Sequence, residues 1–321
     1  MVLRVSDLYL SSVEEGKERE ILRGVDVNIE PAETIGLVGE SGAGKSMLTL
    51  AIMGLLPPTV KVKKGRIEFL GREILDKPEE QADIRGRRIG IVFQDPTASL
   101  DPLYRVGCQV AEAMKGKGRK GWRERVRDLF SRVEFKEPET ILYRYPHQLS
   151  GGEKQRIMIA IALSQEPALL LADEPTASLD IRTGQGIISL LGRIQEEMRL
   201  AILFISHNLP LVSQVARRIA IMYAGQILET GFTRDVMEHP LHPYTRLLYA
   251  ALPDPKKKGS PLAAVPGYPE KGRVYPCMHQ AGVGADICVF YHRCPERDIR
   301  CQEGIPSLTE LTPGHWTACL R

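Results

Sequence analysis

The chain has 321 residues, of which 43% are hydrophobic and 26% are charged, and its net charge is +3. This length allows a sizeable core and two structural units, while the small charge argues against nucleic acid as the main partner. No run approaches the roughly 18–20 apolar residues of a membrane helix, and no basic-then-apolar leader opens the sequence, so we expect a cytoplasmic protein.

The first part of the chain predicts strands followed by a phosphate-binding loop. Residues 1–34 alternate apolar and polar side chains, as antiparallel strands do. A short buried strand at 35–38 then leads into residues 39–46, which fit G-x-x-x-x-G-K-[ST], and into a helix from Lys45 to Met53. Glycines let backbone N–H groups surround an anion, and a helix N-terminus adds positive charge. We expect a nucleoside triphosphate to bind at Gly39, Glu40, Ser41, Gly42, Ala43, Gly44, Lys45, Ser46 and Met47.

The middle of the chain, from about residue 97 to 157, predicts helices rich in Arg, Lys and Glu. Residues 114–121 contain too many glycines for a helix interior, so we expect a solvated loop, with a lipid or partner contact as the alternative. Leu149-Ser-Gly-Gly-Glu-Lys-Gln-Arg156 opens a helix in which Ser150 and Glu153 have capping-box spacing. A glycine-rich helix start of this kind can also hold a phosphate.

Polar side chains follow three short buried strands. They are Gln94 after residues 88–93, Asp173 and Glu174 after residues 168–172, and His207 after residues 201–205. Since strands alternate with helices here, we predict a mostly parallel sheet, and the carboxyl ends of its strands would meet at one edge. The sequence thus predicts one site that contains these side chains and the phosphate loop.

Hydrolysis of a γ-phosphate requires a metal ion, charge neutralisation and a positioned water. Asp173, the Ser46 hydroxyl and Gln94 are the expected Mg²⁺ contacts. Glu174 is the expected base or orienter of the attacking water, and His207 would hydrogen-bond to the γ-phosphate or keep Glu174 in order. The predicted catalytic residues are Glu174, His207, Gln94 and Lys45.

After residue 231, prolines interrupt the pattern, and one helix is predicted from about Tyr244 to Leu252. We expect a small module appended through a linker, and not more of the sheet. Five of the six cysteines crowd into this part: Cys277, Cys288, Cys294, Cys301 and Cys319. In a reducing compartment, that crowding favours a metal or cluster over disulfides.

Over residues 1–235 the motifs resemble those of ABC-transporter ATPase subunits. The motifs that carry the resemblance, in that family's order and spacing, are residues 39–46, Gln94, Leu149-Ser-Gly-Gly-Glu153, residues 169–174, Ser178-Leu-Asp180 and His207. The resemblance implies a head-to-tail dimer in which ATP lies between one subunit's phosphate loop and the facing subunit. The residues implied to act from the facing subunit are Ser150, Gly151, Gly152, Glu153 and Asp180.

Two positions depart from the family pattern. Glu153 replaces the commoner Gln of the signature, a variation that does not imply inactivity. The family's adenine-stacking aromatic falls at Ser12, so Tyr9 is the expected substitute, and the alternative is that the base is held loosely.

A narrower resemblance, to the ATPases of dipeptide/oligopeptide and nickel importers, comes from residues 93–102 and 242–248. Residues 85–89 favour the first of the two paralogues that such systems use. The resemblance implies a paralogous ATPase subunit or a second copy as partner, two transmembrane permease subunits, and indirectly an extracellular solute-binding protein. It places the protein peripherally on the cytoplasmic face of the membrane, with residues 94–106 receiving the permeases' coupling helices.

The cysteine pattern matches the tail of this importer family, some members of which resemble [4Fe–4S] proteins. The matching residues are Cys288, Cys294, Cys301 and Cys319. Four thiolates suit a [4Fe–4S] cluster or Zn²⁺, and the absence of C-x2-C knuckles favours the cluster. Four free thiols are the remaining alternative. A structural role is a simpler hypothesis than redox sensing, and Cys277 is left outside the ligand set.

The expected fold is α/β: a P-loop NTPase (RecA-like) core with a mostly parallel sheet, an antiparallel β subdomain, a helical subdomain inserted at about 97–157, and a small irregular C-terminal cluster-binding module. The expected domains are residues 1–235 and 236–321. We predict an Mg²⁺- and ATP-dependent ATPase subunit that powers di/oligopeptide import. The alternatives are import of nickel or another solute, and a non-transport ABC ATPase acting on DNA or ribosomes, which the single cassette and low charge disfavour.

Overall fold

The structure is a computed structural model that describes residues 1–14, 17–114, 121–252, 265–267 and 287–320. Most of the predicted 114–121 loop, and Cys277, lie outside the described residues. The strands are β1 (Leu3–Glu14), β2 (Lys17–Ile29), β3 (Thr34–Val38), β4 (Val60–Phe69), β5 (Arg72–Glu73), β6 (Ile89–Val92), β7 (Leu169–Asp173), β8 (Ala201–Ser206), β9 (Arg218–Tyr223), β10 (Gln226–Phe232), β11 (Thr309–Thr312) and β12 (His315–Thr317).

Most of the described helices begin near a proline, glycine or polar cap, and two of them follow residue 231, where one was predicted. They are α1 (Lys45–Met53), α2 (Pro78–Ile84), α3 (Pro96–Ser99), α4 (Val106–Ala113), α5 (Trp122–Arg132), α6 (Pro138–Ile141), α7 (Gly151–Leu163), α8 (Ile181–Met198), α9 (Leu209–Val212), α10 (Thr233–Glu238) and α11 (Pro243–Ala250). No helix in the described part of the chain combines the length and apolar character needed to cross a membrane.

The main sheet has eight strands in the order β11-β12-β10-β9-β3-β8-β7-β6. The five strands from β9 to β6 are parallel, as predicted, and the other three are antiparallel. Strands β3 and β8 are buried along their whole length, because a sheet covered on both faces selects continuous apolar runs. The carboxyl ends of β3, β6, β7 and β8 therefore lie along one edge.

A second, antiparallel sheet has the order β2-β1-β4-β5, and it supplies the predicted N-terminal β subdomain. Its inward-facing side chains, among them Leu3, Val5 and Ile29, share a core with helix α1 and the faces of β3 and β8. The helices α3 to α7 pack on the opposite side around Phe130, Val110 and Ile157, which are fully buried.

The C-terminal region extends the main sheet, so the prediction of a module separate from the sheet was wrong. Strand β12 pairs with β10, joining Glu229 to Thr317 and Thr230 to Trp316, and β11 forms the outer edge. Three residues in β12 are too few for an alternating pattern to be recognised. Pairing nevertheless satisfies backbone groups that an edge strand would leave open.

Candidate functional site

The phosphate loop connects β3 to α1 in the geometry that the motif requires. Gly42 and Gly44 have φ angles of 85° and 104°, a region that glycine adopts without strain. A Cβ at Gly39 would lie 2.1 Å from the carbonyl oxygen of Met222, so only glycine fits there. Helix α1 begins at Lys45 without a side-chain cap, which leaves its first N–H groups for an anion.

Lys45 is held inside the loop by two backbone carbonyl groups. Its Nζ donates to the oxygen of Gly39 at 2.7 Å and to that of Glu40 at 2.9 Å, and the residue is 5% exposed. Burial lowers the pKa of Lys45, while the carboxylates of Glu174, Asp173 and Glu40 oppose that shift. The ammonium group is thus fixed where the outer phosphates of a nucleotide would lie.

Glu174 is the point where the predicted catalytic side chains meet. Its Oε2 lies 3.1 Å from Nδ1 of His207 and accepts a hydrogen bond from Nε2 of Gln94 at 3.4 Å. Its Oε1 lies 3.9 Å from Nζ of Lys45. The backbone of Glu174 has a φ of 47°, and its N–H donates to Ile205 at 3.0 Å. This left-handed turn is costly for a residue with a Cβ, and such turns cluster at functional sites.

Asp173, one residue earlier, has a carboxyl oxygen available for a cation. Its Oδ1 is buried and accepts no hydrogen bond. The carboxyl group does, however, accept a hydrogen bond from the Ser46 side chain. Burial raises the pKa of Asp173, and the Ser46 hydrogen bond acts against that rise. An orphaned buried carboxylate oxygen beside a hydroxyl fits a hard divalent cation, with Gln94 as a neutral oxygen donor nearby.

Lys45, Glu174 and their neighbours, but not Asp173, line one cavity of about 770 Å³ at the edge of the sheet. Its lining consists of Ile21, Glu40, Ser41, Gly42, Gly44, Lys45, Ser46, Met47, Gln94, Glu174, His207 and Leu248. Most of the residues predicted from the motifs therefore come together. The sequence reasoning missed Ile21 and Leu248, because no motif marks an aliphatic side chain as part of a site.

The signature residues lie outside this cavity and are occupied in helix caps. Ser150 Oγ accepts from the N–H of Glu153 at 3.3 Å, and the Glu153 carboxylate accepts from the N–H of Ser150 at 2.8 Å. Gly152 is packed so closely that an added Cβ would lie 2.4 Å from Thr183. Asp180 caps α8 by accepting from Thr183 Oγ1 at 2.6 Å, which lowers the pKa of Asp180.

Tyr9 is not among the residues that line the cavity, and its contact with adenine stays a prediction. The Tyr9 ring lies in β1 with the Lys64 ammonium 5.8 Å from its centroid. Its hydroxyl is close to Gly24, where an added Cβ would lie 2.9 Å from it. Gly24 leaves room for the ring on the sheet, and the residues that line the cavity include no Phe, Tyr or Trp.

The four predicted cysteine ligands line a second, much smaller cavity of about 10 Å³, together with His242. Burial raises the pKa of Cys288 to about 11, and burial likewise raises the pKa of Cys294. Each of these shifts is increased by the neighbouring Cys301 and Cys319. However, no group of three or more His, Cys, Asp or Glu side chains in the described ranges is arranged to hold a metal ion.

The fold and the site define a class: a P-loop ATPase with a helical insert and a signature helix whose residues do not line the nucleotide cavity of their own chain. Residues 22–177 match the family model described as ABC transporter, and residues 228–301 match the one described as oligopeptide/dipeptide transporter, C-terminal region. Among solved structures, the ATP-binding cassette MJ0796, a dimer in a post-hydrolysis state bound to ADP and Pi, is similar. It has a TM-score of 0.64 and 28% identity over 72% of this chain and 99% of that one.

Relatives along the full length narrow the class further. The probable peptide ABC transporter ATP-binding protein y4tR of Sinorhizobium fredii is 39% identical over 100% of this chain and 95% of that protein. The dipeptide transport ATP-binding protein DppD of Escherichia coli is 39% identical over 96% of this chain and 94% of that protein. The chain belongs to the ABC transporter ATP-binding proteins that carry the oligopeptide/dipeptide transporter C-terminal region, and it is an ATPase.

Proposed function

We propose that the chain powers the import of dipeptides or oligopeptides as an ATPase subunit on the cytoplasmic face of a membrane transporter. The observation that carries this proposal is the full-length similarity to DppD of Escherichia coli, which includes the C-terminal region as well as the cassette. The oligopeptide transport ATP-binding protein OppD of Bacillus subtilis, 40% identical over 84% of this chain, supports the same class of solute. Residues 1–235 would form the ATPase domain and residues 236–321 its extension.

The geometry supports specific roles in hydrolysis. Glu174 would take a proton from the attacking water, with His207 and Gln94 fixing its carboxylate. Lys45 would neutralise the outer phosphates. An Mg²⁺ ion held by Ser46, Gln94 and Asp173 would supply further charge neutralisation. The signature residues of the same chain are not among the described residues that line this cavity.

The separation of the signature residues from the cavity of their own chain supports a dimer. Ser150, Gly151, Gly152, Glu153 and Asp180 would reach ATP from a facing subunit, either a paralogue or a second copy. The similar MJ0796 cassette is itself dimeric. The permeases would dock on a groove of about 630 Å³ that Tyr104 lines, and on the adjacent exposed side chain of Leu103; Tyr104 and Leu103 are 61% and 80% exposed.

Reconstitution into lipid vesicles with the two permeases and the solute-binding protein tests this function. We expect dipeptides or oligopeptides to stimulate ATP hydrolysis. Nickel-only stimulation would show the alternative importer, and tight salt-sensitive binding of nucleic acid without permease association would refute transport altogether. Leu103→Asp should abolish the stimulation while the chain's own hydrolysis persists. Leu311→Asp, an exposed site on the edge strand β11, is the matched control.

We also propose that the four-thiol cavity holds a [4Fe–4S] cluster, with Zn²⁺ as the alternative. The support is the convergence of Cys288, Cys294, Cys301 and Cys319 on one cavity, a soft donor set suited to either group. Anaerobic purification with iron, sulfide and zinc analysis decides between them. Cys301→Ser should lose iron, and Cys108→Ser, at the exposed lone cysteine, should not. A colourless protein that contains zinc would exclude the cluster.

A further inference from the structure

One residue of the phosphate loop, Glu40, forms a salt bridge with an arginine of the C-terminal region, Arg293. Nη1 of Arg293 donates to Oε2 of Glu40 at 2.7 Å, and Nη2 donates to Oε1 at 3.1 Å. This bidentate salt bridge joins two residues that are 253 positions apart in the sequence. The side chains are 7% and 24% exposed, so water screens the pair weakly.

The remaining N–H groups of Arg293 are satisfied by fixed acceptors. Nε donates to the carbonyl oxygen of Pro266 at 2.7 Å, and Nη1 also donates to the hydroxyl of Tyr223 at 3.3 Å. Nη2 donates to the carbonyl oxygen of Gly267 at 3.3 Å. The guanidinium group is therefore held on every side, and it imposes its position on the Glu40 carboxylate rather than following it.

A second contact fixes the backbone of the same loop residue. The N–H of Glu40 donates to the hydroxyl of Tyr244 at 3.2 Å. Tyr244 lies in α11, is fully buried, and packs against Tyr223 and Phe290 with ring centroids 4.9 Å and 5.2 Å away. The carbonyl group of Glu40 in turn accepts from Lys45 at 2.9 Å. The contacts from Tyr244 and Arg293 therefore act on the residue that holds the loop lysine.

The charge of Glu40 makes this arrangement consequential for ATP. A carboxylate within a phosphate-binding loop repels a triphosphate, and the effect is strong where burial excludes water. The Arg293 guanidinium neutralises that carboxylate at hydrogen-bond distance. Without it, Glu40 would be left facing the nucleotide cavity, which it lines, as an unpaired negative charge.

We propose that Arg293 and Tyr244 are positioning residues for ATP: they neutralise and fix Glu40, so that the affinity of the cassette for ATP depends on the C-terminal region. Neither residue touches the reacting atoms. Their effect is exerted through the loop, and it should appear in nucleotide binding more than in the chemical step. The established ATPase activity is the only function on which this inference rests.

The test measures binding of a fluorescent ATP analogue with Mg²⁺, and the KM and kcat for ATP, on the full chain. Arg293→Gln should weaken binding and raise KM roughly tenfold or more, with kcat changed less than about threefold. Arg293→Lys should have a KM between those of the unmodified protein and Arg293→Gln, since a lysine cannot make the bidentate contact. Tyr244→Phe, which removes only the hydroxyl, should weaken binding by about threefold.

The most discriminating experiment removes the Glu40 carboxylate that Arg293→Gln leaves without its partner. Glu40→Gln in the Arg293→Gln background should recover most of the lost affinity, because the repulsion disappears with the carboxylate. The matched control is Arg218→Gln, which breaks another partly buried arginine–glutamate pair, with Glu33, away from the cavity. It should lower the unfolding temperature without changing the KM.

Two results would overturn the proposal. One is an unchanged KM in both Arg293→Gln and Tyr244→Phe. The other is weakened binding in Arg293→Gln that Glu40→Gln fails to recover, which would leave only a general packing role. If Arg293→Gln does not yield folded protein, Arg293→Lys with and without Glu40→Gln carries the same comparison.

Discussion

The nucleotide cavity and the C-terminal region achieve order by different means. At the cavity, regular backbone does the positioning: β7 and β8 end side by side and deliver Glu174 and His207 to one point. In the C-terminal region, which includes a hairpin of strands four and three residues long, single buried side chains tie the segments together. The contrast indicates that substitutions at the cavity should mainly reduce ATP hydrolysis, whereas substitutions in the C-terminal region should mainly reduce the stability of the fold.

The largest expected effect comes from Glu174→Gln, which tests the first half of this contrast. Hydrolysis should fall at least about a hundredfold, because the amide cannot take the proton from water. ATP binding should persist, since the phosphate loop is untouched. Phosphate release and nucleotide binding measure the two separately. Unchanged turnover would remove Glu174 from its proposed role.

Glu229→Gln tests the second half. The Glu229 carboxylate is fully buried, accepts from the N–H groups of Leu241 at 2.9 Å and His242 at 2.8 Å, and lies 2.7 Å from Nε2 of His315. The amide offers one acceptor oxygen in place of two, so we expect the free energy of unfolding in urea to fall by about 2–4 kcal/mol.

The control for that change is Glu238→Gln, an exposed member of an ion pair with Arg234. It should alter stability by less than about 0.5 kcal/mol. Equal losses in the two variants would show that Glu229 is no special anchor, and the proposed contrast between the regions would fail on that side.

Apart from the control, the smallest effect is expected for Arg246→Ala. Arg246, in α11, pairs at 3.1 Å with Glu296, which lies between Cys294 and Cys301 in the sequence, and the two side chains are 45% and 34% exposed. Exposed pairs contribute little, so the loss should stay below about 1 kcal/mol in the same urea titration. A loss exceeding that of Glu229→Gln would mean that surface charge, and not the buried carboxylate, secures this region.

The sequence predicted the site residues that directly follow regular secondary structure. The phosphate loop, Asp173, Glu174 and His207 follow buried strands, and a parallel sheet brings such positions together. Arg293 and Tyr244 could not be found in this way, because no spacing rule links residue 293 to residue 40. The surroundings of the Tyr9 ring could not be predicted either, because position along a strand does not reveal which neighbours, here Lys64 and Gly24, lie beside it.

The same reasoning explains the fold. Helix α1 was predicted with its bounds, because glycines and apolar periodicity mark both ends. The β11–β12 hairpin was not, because pairing with β10 is decided by the open edge of a distant strand. A three-residue segment carries no periodicity that could announce it.

The pairing of β10 with β12 also has a consequence for synthesis. Glu229 meets Thr317, so the two partners leave the ribosome 88 residues apart. At about 5–20 residues per second, the outer edge of β10 waits roughly 4–18 s for its partner. An open strand edge invites association with other chains during that interval. The main sheet is therefore completed late in synthesis. A chaperone that binds nascent chains would be most useful before this step, while the edge of β10 is still open.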